Sequence, residues 1–435
     1  MISRSLKPQN LPERLIWYYI IATYPIYYLG GQYLLAPLLG YFLVGYLFWQ
    51  WWHRQPLIIT AGKIKIPVAI WLWIVGTIVI EVALIVGHLN FDLGWSKIAS
   101  SSVNRWLRTW SLFPIFMLAG NLQIRPQLIY RGVCILCIQS LFFALIAGVL
   151  RIPDVGYVSP LAVFGGGDFY TVSIFGTLTD NGSEIRMSLF APWSPALGMV
   201  ANIYFFLAIR EKNRLLKWLG IIGAIAMIIG SVSRLSILCL PMTLFLSWLA
   251  MNIHRPLVQL GAGLTAFSSG FLAPILINSL EFARDTFSKS RAGSSRVRTV
   301  LGRIAVRRWL EEALIWGHGT VAGQGPKVTG GMPIGTHHTW FSILYDHGLV
   351  GSFGLAIPLL WSLGELILTA RKSEIAELGL NIILVLAIFT LGENIDGLTY
   401  LYWPGLIVLG IAFKENFNQR YTALTGRSPF AIESY

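Results

Sequence analysis

Apolar residues recur along this chain in runs of about twenty, without the strict alternation of a half-buried strand and without the single apolar stripe of a surface helix. A helix needs about twenty such residues to cross the hydrocarbon core of a bilayer. Twelve runs meet that description, at roughly 14–31, 32–52, 67–88, 104–121, 128–150, 189–209, 215–232, 234–251, 256–278, 340–370, 376–393 and 398–413. A membrane β-barrel would show short alternating segments instead, so helices are the spanning structure that fits. The expectation is an all-α polytopic protein, one membrane domain over 1–435, with its largest polar interval at 279–338. Because the first run follows Arg4, Lys7 and Arg14 and has no small-residue cleavage site, it reads as a retained helix rather than a signal peptide.

Composition agrees: 55% of the 435 residues are hydrophobic and only 12% are charged. The net charge of +13 points to nucleic acid only where a soluble domain carries a basic face, and here a simpler cause serves. With the amino terminus inside, cations such as Arg125, Arg131, Arg210, Lys212, Arg214, Lys217, Arg371 and Lys372 all fall in inner segments, as the positive-inside rule requires. An even number of spans puts both termini in the cytoplasm. Cys134 and Cys137 form a C-x-x-C inside an expected span and read as packing rather than as a redox or metal pair.

Three features of the outer segments remain. The loop from about 152 to 188 contains Gly165-Gly166-Gly167, read as turn punctuation, and closes on Arg186. The short turn Gly230-Ser231-Val232-Ser233 places Arg234 at the start of a membrane helix, where the helix dipole and desolvation oppose a cation unless an anion is near. The interval 279–338 holds nine Lys and Arg against Glu281, Asp285, Glu311 and Glu312. Its segment 296–316 alternates arginine with apolar residues and reads as an amphipathic helix on the outer surface. A headgroup anchor accounts for Arg303, Arg307 and Arg308, whereas Arg296 and Arg298 sit at the helix start, where backbone N–H groups help hold a phosphate.

His337 and His338 stand at the mouth of the tenth expected span, the first turns of which project from the bilayer because 340–370 is long for a membrane helix. The dipole and the nearby arginines hold such an imidazole neutral and able to accept a proton. His337, His338 and His347 match no zinc spacing, and the chain has no D-x-D triplet, so the reading is a metal-independent site with no cofactor. Gly317-His318-Gly319 and Gly323-Gln324-Gly325 lack the preceding strand of a dinucleotide site and read as a flexible outer turn. Glu393 and Asp396, in the last outer turn, are expected to balance the loop arginines.

These residues resemble the O-antigen ligase and O-antigen polymerase superfamily of bacterial membrane glycosyltransferases. The resemblance rests on Ser233-Arg234 opening a helix, on an arginine stretch that ends at Gly317-His318-Gly319, and on a histidine eleven residues before Gly348-x-x-Gly351; it spans about 186–351. Arg186, ahead of Met187 to Pro192, resembles a further family position. The first five spans agree only in hydropathy. His338 departs from the family pattern, which has asparagine there.

The resemblance implies a GT-C-like enzyme of the bacterial inner membrane. Such an enzyme transfers a glycan from a polyprenyl-diphosphate donor to a glycan or lipid-linked glycan acceptor on the outer face, with inversion and without nucleotide or metal. It further implies that Arg234 and Arg296 or Arg298, with Arg186, hold the diphosphate. His337, with His338 beside it, would serve the acceptor hydroxyl. Polymerase and ligase share this donor, and the reading leans to polymerase. A transporter is the alternative from another class, but Glu81 is the main mid-helix charge and no repeated halves are visible.

Overall fold

The computed structural model describes residues 6–53, 66–150, 156–178, 185–289, 292–319, 325–327, 331–335 and 337–425. The fold is all-α. Helices α1 (Leu11–Ile21), α2 (Thr23–Tyr28), α3 (Gln32–Trp52), α4 (Val68–Asn90) and α5 (Trp95–Ser101) lead into a π-helical stretch, Ser102–Trp110. There follow α6 (Leu112–Ala119), α7 (Pro126–Leu150), α8 (Ser194–Ile209), α9 (Arg214–Gly230), α10 (Arg234–Asn252), α11 (Pro256–Lys289), α12 (Ala292–Glu312), α13 (Thr339–Thr369), α14 (Glu374–Phe389) and α15 (Thr399–Thr425). Between α7 and α8 lie two short antiparallel hairpins, β1 (Gly156–Val158) with β2 (Thr171–Ser173) and β3 (Gly176–Leu178) with β4 (Ile185–Met187).

Among the described residues six helices are long and apolar enough to cross a membrane: Gln32–Trp52, Val68–Asn90, Pro126–Ala147, Arg234–Asn252, Thr339–Thr369 and Asp396–Thr422. Other expected spans fall on shorter pieces. The first is broken at Ala22 into α1 and α2, the fourth divides between the π-helical stretch and α6, and α8, α9 and α14 have 16, 17 and 16 residues.

Helices meet where small residues let backbones approach, as lipid-embedded helices do. A Cβ on Gly76 would lie 2.2 Å from the Gly354 carbonyl oxygen, and one on Gly410 would lie 2.0 Å from the Met117 carbonyl oxygen. The buried free thiols Cys134 and Cys137 pack in this way under Gly220 and Gly223 of α9.

The bundle has two chemically distinct ends. At one, Arg125 pairs with buried Glu13 (2.7 Å), Arg131 with buried Glu211 (2.9 Å), and Arg210 with Glu377 (2.6 Å). Exposed Trp51, Trp52 and Trp218 stand toward that end, as interfacial aromatics do. Helix α8 leads away from Trp193 to Arg210, and α14 returns antiparallel to it, bringing the turn at 390–394 back to Trp193. The candidate residues lie at this second end.

Helix α13 is not one straight rod. Gly348 has non-helical angles (φ 61°, ψ −159°) and breaks it, and the orphaned backbone groups are recovered by the segment 314–319. The N–H groups of Leu349 and Val350 donate to the carbonyls of Leu314 and Ile315 (3.1 Å each), while those of His318 and Gly319 donate to the carbonyls of Tyr345 and Asp346 (2.9 and 2.8 Å). Gly317-His318-Gly319 is therefore a buried clamp on the kink, not a flexible turn. Its glycines are required: a Cβ on Gly317 would sit 2.4 Å from the Asp346 carbonyl carbon, and one on Gly319 2.4 Å from the His88 ring. Gly323-Gln324 lies outside the described residues.

Candidate functional site

The turn that joins α14 to α15, Thr390 to Asn394, gathers segments far apart in sequence. From α12, Arg298 donates through Nη1 to the Gly392 carbonyl (3.3 Å) and places Nη2 3.6 Å from Glu393 Oε1. The residue that caps the amino end of α8, Trp193, donates its indole N–H to Glu393 Oε2 (3.1 Å). Arg186, on β4 opposite Thr177, lies close enough for its charge to act on the same carboxylate, and its carbonyl accepts from Ser194 Oγ (3.1 Å). The start of α10 abuts the turn as well: a Cβ on Gly392 would lie 2.7 Å from Leu235, the neighbour of Arg234.

Helix α13 begins on this turn. The Thr339 hydroxyl donates to the Glu393 carbonyl (2.6 Å), the His338 N–H donates to Asn394 Oδ1 (3.0 Å), and the Trp340 indole donates to Thr390 Oγ1 (2.9 Å). The amino ends of α8, α10 and α13 thus converge here, each carrying the positive end of a helix dipole. A carboxylate is their natural complement, and Glu393 is 2% exposed among them.

The two histidines take different positions. His338 caps α13, its Nδ1 accepting from the Phe341 N–H (3.4 Å), and its ring stacks on Phe341 at a centroid distance of 4.0 Å. His337 is half-buried with a left-handed backbone (φ 66°). Burial, helped by the Arg298 charge, lowers its pKa to about 4, so the ring is neutral at physiological pH. Burial also lowers the pKa of His338. Glu393 moves the other way: burial pushes its carboxyl up to about 7 although Arg298 and Arg186 oppose the shift.

Strain marks the same place. Four described residues other than glycine have positive φ, and three belong here: His337, Val232 two residues before Arg234, and Leu189 three after Arg186. Such angles cost free energy, most of all at β-branched Val232, and persist where the surroundings impose them.

The structure therefore brings Arg186, Arg298 and His337 to one turn, with the Arg234 helix start beside them. Arg296 lies on α12, but its side chain is outside the described residues. On the far part of α12, Arg307 and Arg308 pair with Glu311 (2.9 Å) and Glu312 (2.8 Å), and Leu301 and Ala305 bury against Ile334 and Tyr345.

Sequence reasoning passed over Trp193, Asn394 and the polar chain behind them. Asn394 Nδ2 donates to Ser342 Oγ (3.4 Å), Ser342 Oγ donates to Asp346 Oδ2 (3.5 Å), and Arg105 of the π-helical stretch donates to the same oxygen (3.1 Å). No group of His, Cys, Asp and Glu among the described residues is arranged to hold a metal ion. No protein-family model matches the chain, and none of the curated proteins compared with it does.

Proposed function

We propose that this chain is a membrane glycosyltransferase of the O-antigen polymerase and ligase type, with twelve spans in a GT-C-like arrangement and the 279–338 segment on the outer face. It transfers a glycan from a polyprenyl-diphosphate donor to a glycan acceptor, most simply the polymerisation of a surface or secreted polysaccharide. The observation that carries this reading is the convergence of Arg186, Arg298, the Arg234 helix start and His337 on one turn. Guanidinium groups and helix amino termini suit a diphosphate, whose charge grows as the sugar leaves. A neutral imidazole beside them suits a sugar hydroxyl.

In this mechanism Arg298 and Arg186, with Arg234 and Arg296, bind the diphosphate and stabilise it as leaving group. His337 accepts the proton of the acceptor hydroxyl as the hydroxyl oxygen attacks the anomeric carbon and forms the new glycosidic bond. The bond between C1 and the diphosphate oxygen breaks with its electron pair going to that oxygen, and the polyprenyl diphosphate departs.

Deleting the gene and sizing the cell's polysaccharide tests the reaction class. Loss of long chains with single repeats retained is the expected result, polymer stranded on the lipid carrier would instead indicate a ligase, and an unchanged profile contradicts both. Complementation tests the site. His337→Asn, which tolerates the left-handed backbone, is expected to reduce transfer by about 10²–10⁴-fold; wild-type chain lengths from that variant would remove the histidine from the mechanism.

A further inference from the structure

Glu393 is more than a charge-balancing residue. Its carboxylate is held among the groups assigned above to the donor: Arg298 on one oxygen, the Trp193 indole on the other, and Arg186 within electrostatic reach. The Arg298 contact, at 3.6 Å, is longer than the about 2.7–2.9 Å of a charge-assisted hydrogen bond, and the guanidinium side chain is 42% exposed while the carboxylate side chain is 3% exposed. The cation is thus in reach of solvent and the anion lies behind it. A diphosphate offers Arg298 a bidentate partner on the open side. Once it is bound, the site holds two anions around the same cations, one of them cut off from water. Two anions so placed do not both stay charged without further compensation.

We propose that Glu393 is the resting counter-ion of the diphosphate site: an entering diphosphate takes Arg298 and Arg186 from the Glu393 carboxylate, which accepts one proton drawn from solvent and remains as the neutral acid. This rests on the reading that the ligand is a lipid-linked diphosphate. Among the described residues the charged groups that act on the Glu393 carboxyl are Arg298 from α12 and Arg186 from β4. The α8 side contributes the neutral Trp193, the start of α13 brings the His337 and His338 imidazoles, both with lowered pKa, and the Arg234 helix start lies beside the turn. The carboxyl, already near 7 with both arginines at hand, is poised to take that proton when they turn to another anion. Above about 7 the proton must be supplied against the solution pH, so binding weakens as pH rises.

The experiment titrates undecaprenyl diphosphate into the detergent-purified full chain by calorimetry at about pH 7.5, in two buffers of different ionisation enthalpy. A terminal phosphate has its second pKa at about 6, so the ligand itself exchanges few protons there. Wild type is expected to take up about half to one proton per ligand, and its affinity to fall about tenfold between about pH 6 and about pH 8. Glu393→Gln, which keeps an oxygen for the Trp193 indole, is expected to take up none, to lose the slope, and to bind at least as tightly as wild type at the higher pH.

Wild type that takes up no proton, or a slope unchanged in Glu393→Gln, overturns the proposal and leaves the donor reading intact. Wild type that binds no undecaprenyl diphosphate at any pH overturns both. Because proton uptake is read on the native residue, the result does not depend on the variant folding.

Discussion

A left-handed residue at position 337 separates two neighbouring imidazoles. His338 is occupied in capping α13 and stacking on Phe341, while His337 lies in reach of the Arg298 charge. Replacing His338 with alanine removes the cap and is expected to cost about 1 kcal/mol, visible as a lowered melting temperature in detergent, with a smaller loss of transfer than at His337. The two titrating groups give the pH profile opposite limbs. His337, lowered to about 4, loses its proton-accepting form only as pH falls toward that value, so the acid limb of kcat/KM should bend nearer 4 than the usual 6.5 of histidine. Glu393, raised to about 7, makes the alkaline limb fall above that value, and Glu393→Gln should flatten it. An acid limb at 6.5 in wild type would assign that limb to some other group. The arginines and histidines were legible in the sequence because cations are scarce in an apolar chain. Glu393 was legible as a counter-charge to the loop arginines, which its contact with Arg298 matches, but its burial and its reach to Trp193 and Arg186 are written only in the packing.

At the scale of elements, the kink in α13 and the segment 314–319 form one device. A glycine breaks the helix, and a glycine-bounded turn supplies the donors and acceptors that the break leaves open. Hydropathy showed a single long run at 340–370, since a kink changes angles without changing apolar character. It likewise showed two motif glycines at 317 and 319 without showing the backbone they touch, and a turn between apolar runs reads as flexible until its contacts are known. His318 adds to the clamp, its Nε2 2.8 Å from Glu312 and its ring stacked on Tyr345 at 4.2 Å. Gly317→Ala and Gly319→Ala each combine a left-handed angle with a backbone or ring clash. Each is expected to destabilise the protein by more than about 2 kcal/mol, read as thermal melting in detergent. Wild-type melting from either variant would mean that the clamp can open without loss. Gly331, also left-handed but with nothing near its absent side chain, should cost less.

For the whole molecule, hydropathy marked a membrane protein plainly and the number of spans less so. Among the described residues six helices carry the length and apolarity of a span unaided; another expected span falls on the shorter pair α1 and α2, divided by a break that hydropathy averages over. The cations expected on the inner side include Arg125, Arg131 and Arg210, and their ion pairs fall together at one end, away from the turn at 390–394. That first end also has a basic pocket, lined in part by His254, Arg255, Arg371 and Lys372, so cations by themselves do not single out the proposed diphosphate site. The most direct test is a cryo-EM map of the protein in nanodiscs with undecaprenyl diphosphate. Density for the diphosphate within hydrogen-bonding reach of Arg298 and Arg186, with the His337 ring facing it, is the predicted result. Density at the Arg371 end, or none at the turn that bears Glu393, would contradict the account.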